Sequence, residues 1–300
     1  MIVYIQNHTS GAGHWIYNGY AKAWQNQGYE PIFIDFLGQI DTKQDYMLMI
    51  TNSMITESNI EHIEKSKHCF LYASPNTYPQ PWGSHPNFQC PLNEKIIKIL
   101  NNLNNITKWT FGEVKQEHYT IWEDVKTIPL AFDNLSYKIA DPEATNYEYD
   151  VCFVGGFANN GYNEKVKIMQ TCLTPFSKGG FKCAFSVGQN ISHESENEVL
   201  IKSKICLNIH DAYQRTLKLD ANERTFKCLG INGLMISDEN DQLSKYFPDV
   251  KTSNDYETYY NYALYYMDQD VREIKKKNID NIAKNHTYIS RVKQFLEYAI

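Results

Sequence analysis

The segment DANERTFKCLGINGLMISD, residues 220–238, places a polar cluster directly before a run of small and apolar residues. The cluster contains Asn222, Glu223 and Arg224, and the run that follows is typical of a helix beginning near Thr225. Asparagine is a favoured helix N-cap, and a guanidinium beside the free N–H groups of a helix start suits a phosphate anion. The segment therefore has two interpretations: a capped helix with a solvated arginine, or a ligand site.

Polar residues also end two apolar runs in this half of the chain. His210 ends the run KICLNIH, and Ser237 and Asp238 end the run GLMISD. If these runs are parallel strands, their carboxyl ends meet at one edge of a sheet, where ligands bind. His210 is thus a candidate ligand contact, whereas Ser237 and Asp238 would either bond a ribose or base, or cap the next turn.

Another polar loop, GGFANNGYN at residues 155–163, follows the apolar run YDVCFV. Its small residues would let backbone N–H groups approach an anion. The candidate contacts in this loop are Gly155, Gly156, Phe157 and Asn160. Since the loop matches neither GxGxxG nor a Walker motif, an ordinary strand-to-helix turn stays open as the alternative.

The amino-terminal half carries a similar loop, NHTSGAGHW, after its first apolar run. Gly11 and Gly13 would let the loop approach a ligand, and His8 or His14 could transfer a proton or form hydrogen bonds. The sequence does not choose between the two histidines, and a solvent-exposed turn is the plain alternative.

A proline-rich loop further along, SPNTYPQPWGSHPNFQC, carries aromatic side chains with polar tips. Tyr78, Trp82 and His85 would suit stacking on a sugar ring. A surface loop with a buried tryptophan is the equally simple alternative.

A metal site is not expected from this sequence. The one Asp-x-Asp pattern pairs Asp268 with Asp270 in a polar helical stretch distant from the loops above. Such a pattern is typical of a solvated helix face, as is the lysine run at 275–277. We therefore predict neither a metal nor a cofactor.

The polar loops alternate with strands and helices in a repeated order. In the first half MIVYI, a helical WIYNGYAKAWQNQG and YEPIFIDF form a β-loop-α-β unit. In the second half YDVCFVGG, a helical KVKIMQTCLTPF and FKCAFSVG form another. This order favours parallel sheets, and the polar stretch between the halves favours a linker joining two α/β lobes that face a cleft.

Composition narrows the possible functions. The formal net charge is −6, and all four arginines lie beyond residue 200, at Arg215, Arg224, Arg272 and Arg291. A basic nucleic-acid-binding face is therefore disfavoured. Seven cysteines without a CxxC pair fit a reducing compartment. We expect a cytoplasmic protein without a signal peptide or membrane span.

Four segments, taken together and in order, resemble the motifs of a known enzyme family. YDVCFVGGF opens the second half, and SKICLNIHDA precedes the polar cluster. NERTFKCLGINGLMISD is similar to an Asn-x-Arg-x-Phe-Glu-x-x-x-x-Gly-Gly signature, and NHTYISRVKQFLEYAI to a closing His-Thr-Tyr-x-x-Arg helix. These motifs are those of the CgeB-like (spore maturation protein) branch of the GT-B glycosyltransferases, related to retaining family 4.

The resemblance implies a GT-B fold, in which two Rossmann-like lobes face a cleft and the last helix crosses back to the first lobe. It implies a nucleotide-sugar in the second lobe, with Arg224 stabilising the departing diphosphate, and an acceptor in the first lobe near the proline-rich loop. One position departs from the family, because Lys227 stands where a Glu commonly meets the nucleotide ribose. Glu223 is a possible substitute.

We predict an amino-terminal lobe at 1–132, a linker at 133–149, a nucleotide-sugar lobe at 150–283 and a closing helix at 284–300. The predicted reaction is sugar transfer from a UDP-sugar, with retention and without a metal. The acceptor is open among a glycan, a small molecule, a protein and modified DNA. Two alternatives remain: a nucleotide- or sugar-binding protein without catalysis, which Lys227 favours, and a phage-type DNA base glycosyltransferase, which the arginine-free first lobe disfavours.

Overall fold

A computed structural model describes residues 1–9, 11–85, 88–156, 164–189 and 191–299. The chain divides into two units. The first is Met1–Pro129 together with Tyr288–Ile300, and the second is Leu130–Thr287. Each unit contains its own parallel β-sheet and its own helices.

The first unit alternates strands and helices along most of its length. Its strands are β1 (Ile2–Gln6), β2 (Glu30–Ile34), β3 (Tyr46–Thr51), β4 (His68–Tyr72), β5 (Ile106–Thr110) and β6 (Lys126–Thr127). Its α-helices are α1 (Gly11–Asn26), α2 (Ile60–Glu64), α3 (Glu94–Asn101) and α11 (Tyr288–Tyr298). Short 3-10 helices cover Leu37–Gln39, Asn52–Met54, Glu57–Asn59 and Trp82–Ser84. The strands form one sheet in the order β2-β1-β3-β4-β5-β6 with parallel pairing throughout.

The central strands of this sheet are buried on both faces, as expected for a parallel sheet covered by helices. β3 and β4 are almost continuously apolar and buried. The final helix α11 packs on α1, where the rings of Tyr20 and Tyr288 meet edge to face at 4.7 Å. Phe295 of α11 is fully buried against Phe70 of β4. The last helix therefore completes the first unit.

The second unit repeats the α/β order. Its strands are β7 (Tyr149–Gly155), β8 (Cys183–Val187), β9 (Ser203–Asn208), β10 (Met235–Ser237) and β11 (Lys251–Thr252). Its α-helices are α4 (Glu164–Lys178), α5 (His193–Lys202), α6 (Ala212–Leu217), α7 (Glu223–Ile231), α8 (Asp241–Tyr246), α9 (Tyr256–Met267) and α10 (Arg272–Asn285). The sheet order is β11-β10-β9-β7-β8, again parallel throughout.

Two glycines in this unit lie at contacts too close for a side chain. A Cβ on Gly230 would lie 2.7 Å from the ring of Phe132. A Cβ on Gly233, where φ is +84°, would lie 2.4 Å from the carbonyl oxygen of Lys275. Only a residue without a side chain allows both approaches.

Residues 133–149 do not lie between the two units, in contrast to the predicted linker. They belong to the second unit, which begins at Leu130. The backbone N–H and carbonyl of Lys138 are both bonded to the Asn197 side chain, at 2.9 and 2.8 Å. The backbone N–H of Ala140 donates to Ile231 at 2.8 Å. The polar composition of these residues suggested a linker, but helix residues of the second unit form hydrogen bonds with their backbone groups.

The first polar loop is shorter than predicted, because α1 begins at Gly11 and not near Trp15. Gly11 has a φ of +64°, a conformation that glycine adopts without strain. Gly13 and His14 therefore lie in the first turn of a helix. Trp15 is 40% exposed, whereas Trp24 and Tyr20 of the same helix are fully buried.

Candidate active site

The carboxyl ends of three neighbouring strands gather the predicted residues of the second unit. β7 ends at Gly155, β9 at Asn208 and β10 at Ser237. Because the three strands are parallel, these ends share one edge of the sheet. Asn208 connects this edge to α7, since its Nδ2 donates to Thr225 Oγ1 at 3.0 Å and to Ser237 Oγ at 3.1 Å.

Asn222 caps helix α7. Its Oδ1 accepts from the backbone N–H of Thr225 at 3.0 Å and from the Thr225 hydroxyl at 3.1 Å. Thr225 is fully buried, so its hydroxyl serves the protein interior. The capping interpretation of Asn222 is thus confirmed, and it fixes the helix start whose dipole points toward the strand ends.

The Arg224 guanidinium lies across the carboxyl ends of β7 and β9. Its Nε donates to the Val154 carbonyl at 2.6 Å, and its Nη1 donates to the Ile209 carbonyl at 3.1 Å. The guanidinium carbon lies 4.5 Å from the centre of the Phe153 ring. Nη2 forms no hydrogen bond with any residue in the described ranges. Carbonyl oxygens orient the cation without neutralising it, so Arg224 keeps a full positive charge.

Gly155 makes this position of Arg224 possible. A Cβ on Gly155 would lie 1.8 Å from Nη2, far inside contact distance. Position 155 therefore has to be glycine because a side chain there would displace the Arg224 guanidinium, and not only because the chain turns. Gly156 follows the strand and is exposed. Phe157 and Asn160 lie outside the described residues.

Lys165 is a second cation near the same strand ends, and the sequence interpretation missed it. Its side chain is 6% exposed; Nζ forms an ion pair with Asp211 and lies 3.5 Å from the Ile209 carbonyl. Burial lowers the pKa of Lys165, and the neighbouring charge of Arg224 lowers it further. Lysine is frequent in this chain, and the contact joins residues 46 positions apart, so no local signal marked it.

His210, Asp238 and Arg215 form a buried network at the ends of β9 and β10. Nδ1 of His210 lies 2.5 Å from Asp238 Oδ1, and Arg215 Nη1 donates to Asp238 Oδ2 at 2.6 Å. The backbone N–H of His210 donates to both carboxylate oxygens, at 3.1 and 3.0 Å. Burial raises the pKa of Asp238, but His210 and Arg215 outweigh it, so the pKa is lowered overall.

Ser237 and Asp238 thus form internal contacts in this structure. Ser237 is fully buried, and its hydroxyl donates to Asp238 Oδ1 at 3.2 Å. Asp238 is 1% exposed. His210, the residue that Asp238 orients, is the member of this network whose second ring nitrogen takes no partner among the described residues.

Lys227 lies in a separate cluster of charges between α5 and α7. Its Nζ lies 3.0 Å from both carboxylate oxygens of Glu196 and 3.8 Å from Glu223. Burial disfavours the charged lysine, but Glu223 and Glu196 outweigh it and raise its pKa. Glu223 makes no hydrogen bond with its side chain in the described part of the chain, and burial raises its pKa. Lys227 is therefore held by Glu196, whereas the Glu223 carboxylate keeps hydrogen-bonding capacity.

In the first unit, His8 and His14 come together at the start of α1. His14 Nδ1 lies 3.2 Å from the His8 carbonyl, which can only accept, and 3.3 Å from Asn18 Nδ2, which can only donate, so the two contacts require opposite tautomers of the ring. The His8 ring stacks on Tyr17 at 4.2 Å, and burial lowers its pKa. A Cβ on Gly13 would lie 3.1 Å from His8 Nδ1, so this glycine permits the contact.

In the proline-rich loop, one of the three candidates for stacking on a sugar is buried. Trp82 is 5% exposed, and its ring is therefore not open for stacking on a ligand. Tyr78 and His85 are partly exposed and both contact Phe88, at ring distances of 5.2 and 6.0 Å. Tyr78 also stacks on His118 at 6.3 Å.

Within the described ranges, no group of three or more His, Cys, Asp or Glu side chains could hold a metal ion. Asp270 of the Asp-x-Asp pattern pairs with Arg272 at 2.5 Å.

No helix in the described part of the chain is long and apolar enough to cross a membrane.

Comparison with solved structures supports the architecture over the full chain. A glycosyltransferase of avilamycin A biosynthesis is 10% identical with a TM-score of 0.54, covering 99% of this chain and 96% of its own. An α-glucosyltransferase crystallised with UDP and DNA is 10% identical with a TM-score of 0.55, covering 100% and 99%. Sucrose-phosphate synthase from Thermosynechococcus elongatus is 11% identical with a TM-score of 0.56, covering 99% and 97%. Identities this low show the fold alone, and that fold is GT-B.

Comparison with families assigns the second unit and the closing helix. No curated protein matches the chain. The model of the glycosyl transferase-like family matches residues 142–297, which is more than half of the chain. These residues include Arg224, Lys165 and the His210 network. The chain belongs to the glycosyl transferase-like family and is a glycosyltransferase with the GT-B fold.

Proposed function

We propose that the protein transfers a sugar from a nucleotide-sugar whose diphosphate binds beside Arg224. The observation that carries this proposal is the uncompensated charge of Arg224: its guanidinium donates to two backbone carbonyls and to the amide oxygen of Asn208, and it forms no ion pair with a described residue. An oriented, unneutralised cation at a helix start is suited to a diphosphate.

Arg224 would stabilise the leaving group as well as bind it. When the bond between the anomeric carbon and the phosphate oxygen breaks, the diphosphate gains negative charge. A cation fixed by Val154, Ile209 and Gly155 needs no reorganisation to meet that charge. The dipole of α7 contributes in the same direction, whereas the charge of nearby Lys165 is paired with Asp211.

We assign the ribose to Glu223. Lys227 cannot accept a hydrogen bond from a ribose hydroxyl, and its ammonium group is already bound to Glu196. Glu223 precedes Arg224 on α7, is largely buried, and has acceptor oxygens without a hydrogen bond from a described residue. A carboxylate with free acceptor oxygens is the group that binds ribose hydroxyls in many nucleotide sites.

UDP is our proposed nucleotide, and retention our proposed outcome. Two structural relatives were crystallised with UDP, the α-glucosyltransferase above and a pneumococcal O-GlcNAc transferase with a TM-score of 0.50. Retention follows from the resemblance to family 4. In such a transfer the acceptor oxygen bonds to the anomeric carbon as the phosphate leaves, and the acceptor proton passes to a phosphate oxygen. We propose that no metal takes part.

We assign the acceptor to the first unit, with His14 as a hydrogen-bonding residue. Nδ1 of His14 contacts the His8 carbonyl and the Asn18 amide, so Nε2 is the ring nitrogen left to contact the acceptor. That nitrogen could accept from an acceptor hydroxyl. His8, Tyr78 and His85 are secondary candidates on the same unit.

The proposal is tested by a thermal-shift screen against UDP, GDP, ADP, CDP and dTDP, followed by UDP-sugars. A ligand that binds only the folded protein raises its melting temperature. We expect a shift with UDP. The absence of a shift with every nucleotide would contradict the proposal.

Variants of two arginines then locate the site. Arg224→Gln keeps a donor for the Val154 or Ile209 carbonyl but removes the charge, and we expect at least a tenfold loss of UDP affinity. Arg272→Ala is the matched control, because Arg272 is about half exposed and pairs with Asp270. Unchanged UDP affinity in a folded Arg224→Gln protein would remove Arg224 from the donor site.

A further inference from the structure

The fully buried side chain of Asn208 forms hydrogen bonds through both ends of its amide. Its Nδ2 donates to the hydroxyl oxygens of Thr225 at 3.0 Å and Ser237 at 3.1 Å. Its Oδ1 accepts from Arg224 Nη1 at 3.4 Å. One side chain thereby joins the ends of β9 and β10 to the first turn of α7 and to the Arg224 guanidinium.

The orientation of this amide is fixed by what its neighbours can donate and accept. Asn222 Oδ1 accepts from the backbone N–H and the hydroxyl of Thr225, so the hydroxyl oxygen of Thr225 is left to accept from Asn208. The Ser237 hydroxyl donates to the carboxylate of the next residue, so its oxygen also accepts from Asn208. A guanidinium only donates, so the amide oxygen must face Arg224. A neutral amide meets all three requirements.

The main chain at Asn208 is held as well. Tyr259 is 1% exposed, and its hydroxyl lies 3.1 Å from the Asn208 carbonyl oxygen and 3.2 Å from the Ile236 carbonyl oxygen. Since the backbone and both ends of the amide are held, Asn208 Oδ1 meets the guanidinium from a fixed place.

The neighbouring strand holds the other arginine of this sheet edge with a carboxylate. After the end of β10, Asp238 Oδ2 accepts from Arg215 Nη1 at 2.6 Å, which neutralises the charge of Arg215. At the end of β9, Arg224 meets the amide oxygen of Asn208 instead. An amide oxygen carries only a partial charge, so it orients a guanidinium without pairing with it.

We propose that Asn208 is a positioning residue of the donor site, whose amide holds Arg224 and the start of α7 in place while leaving the arginine charge available to the diphosphate. This inference rests on the proposed nucleotide-sugar donor. Asn208 is fully buried, so it acts through Arg224 and not by touching the ligand. An aspartate, which has the same shape, would compete with the diphosphate for the guanidinium.

Asn208→Asp tests whether the group at this position has to be neutral, because it changes the charge with almost no change in size. The new carboxylate would pair with the Arg224 guanidinium, so we expect UDP to bind about tenfold more weakly by calorimetry.

Asn208→Ala removes the amide and leaves the charge of Arg224 unpaired, so we expect only about threefold weaker UDP binding. The hydroxyls of Thr225 and Ser237 keep their acceptors in this variant, so no buried donor is left without a partner. We therefore expect Asn208→Ala to fold even if Asn208→Asp does not.

Two comparisons separate positioning from general damage to the fold. Asn278→Asp is the matched control, because Asn278 is 6% exposed in the same unit and its Nδ2 donates to the Gly233 carbonyl at 2.8 Å. We expect UDP affinity within about twofold of the unmodified protein, even if the melting temperature falls. In a protein that already carries Arg224→Gln, Asn208→Asp should weaken UDP binding by less than about twofold, because no guanidinium charge is left to pair.

Unchanged UDP affinity in a folded Asn208→Asp protein would overturn the positioning role, as would an equal loss with and without Arg224. If Asn208→Asp does not fold, unchanged UDP affinity in Asn208→Ala would overturn it. If Arg224→Gln weakens UDP binding and the Asn208 variants do not, only the positioning role is wrong. If the unmodified protein binds no UDP, the proposed donor site is wrong, and the positioning role is wrong with it.

Discussion

The cations near the carboxyl edge of the second sheet differ in how their charges are balanced. Two of them pair with a carboxylate of the protein: Arg215 with Asp238, and Lys165 with Asp211. Among the described residues, Arg224 donates only to backbone carbonyl oxygens and the Asn208 amide oxygen, and it lies against an aromatic ring. An anionic ligand therefore gains most at Arg224, because it need not displace a carboxylate.

Gly155→Ala tests whether the position of Arg224 matters for binding. The new Cβ would lie 1.8 Å from Nη2, so the guanidinium must leave its present place. We expect at least a tenfold loss of UDP affinity by calorimetry, with a melting temperature that still shows a folded protein. In a protein that already carries Arg224→Gln, the same change should reduce UDP affinity little further. Additive losses would show that the two residues act separately.

The pH dependence of stability should depend on Asp238. Its pKa is lowered in the folded protein, so its ionised form contributes stability above the ordinary value of 3.8, and that stability is lost as the pH falls below it. Asp238→Asn should cost about 3–5 kcal/mol at pH 7, since Arg215 loses its buried partner. The difference in unfolding free energy between the two proteins, measured by urea unfolding, should become smaller as the medium is acidified below about pH 4. A difference in unfolding free energy that does not change with pH would contradict the stabilising role of the ionised Asp238.

Sequence motifs predicted some residues of the candidate site and missed the others for a physical reason. Asn222, Arg224, Gly155 and His210 were predicted because they follow strands or begin a helix. Lys165 and Arg215 carry no such signal. Their contacts depend on how α4, α6 and β10 are brought together, which one sequence without a fold does not specify.

At the scale of elements, strands followed by polar loops were easier to predict than strands without them. β1, β7 and β9 are apolar runs that end in such loops, and their positions agree with the structure to within a few residues. β3 was not predicted: its residues YMLMIT are buried on both faces and show no alternation. Periodicity does not separate such a run from a buried helix.

Gly19→Ala tests the packing of α11 against α1. A Cβ on Gly19 would lie 2.5 Å from ring atoms of Tyr288, so the two helices must move apart. We expect a loss of about 1–3 kcal/mol in unfolding free energy, the usual range for an overpacked core. Gln25→Ala, an exposed change on the same helix, should stay within about 0.5 kcal/mol. Equal stability of both variants would show that close packing of Gly19 against Tyr288 does not contribute to stability.

At the scale of the whole molecule, the repeated α/β order along the chain predicted two parallel sheets correctly. The family motifs named the GT-B fold, because their order reflects a complete lobe and its closing helix. The place of residues 133–149 could not be predicted the same way. Their polar residues suggest a linker, whereas long-range contacts with Asn197 and Ile231 make them part of the second unit.

Hydrogen–deuterium exchange with and without UDP tests the central claim most directly. The account predicts that UDP slows exchange in peptides covering the ends of β7 and β9 and the first turn of α7, residues 153–156, 208–211 and 222–226. The protection should disappear in Arg224→Gln and persist in Arg272→Ala. Protection confined to other segments, or no protection at saturating UDP, would contradict the assignment of the donor site to Arg224.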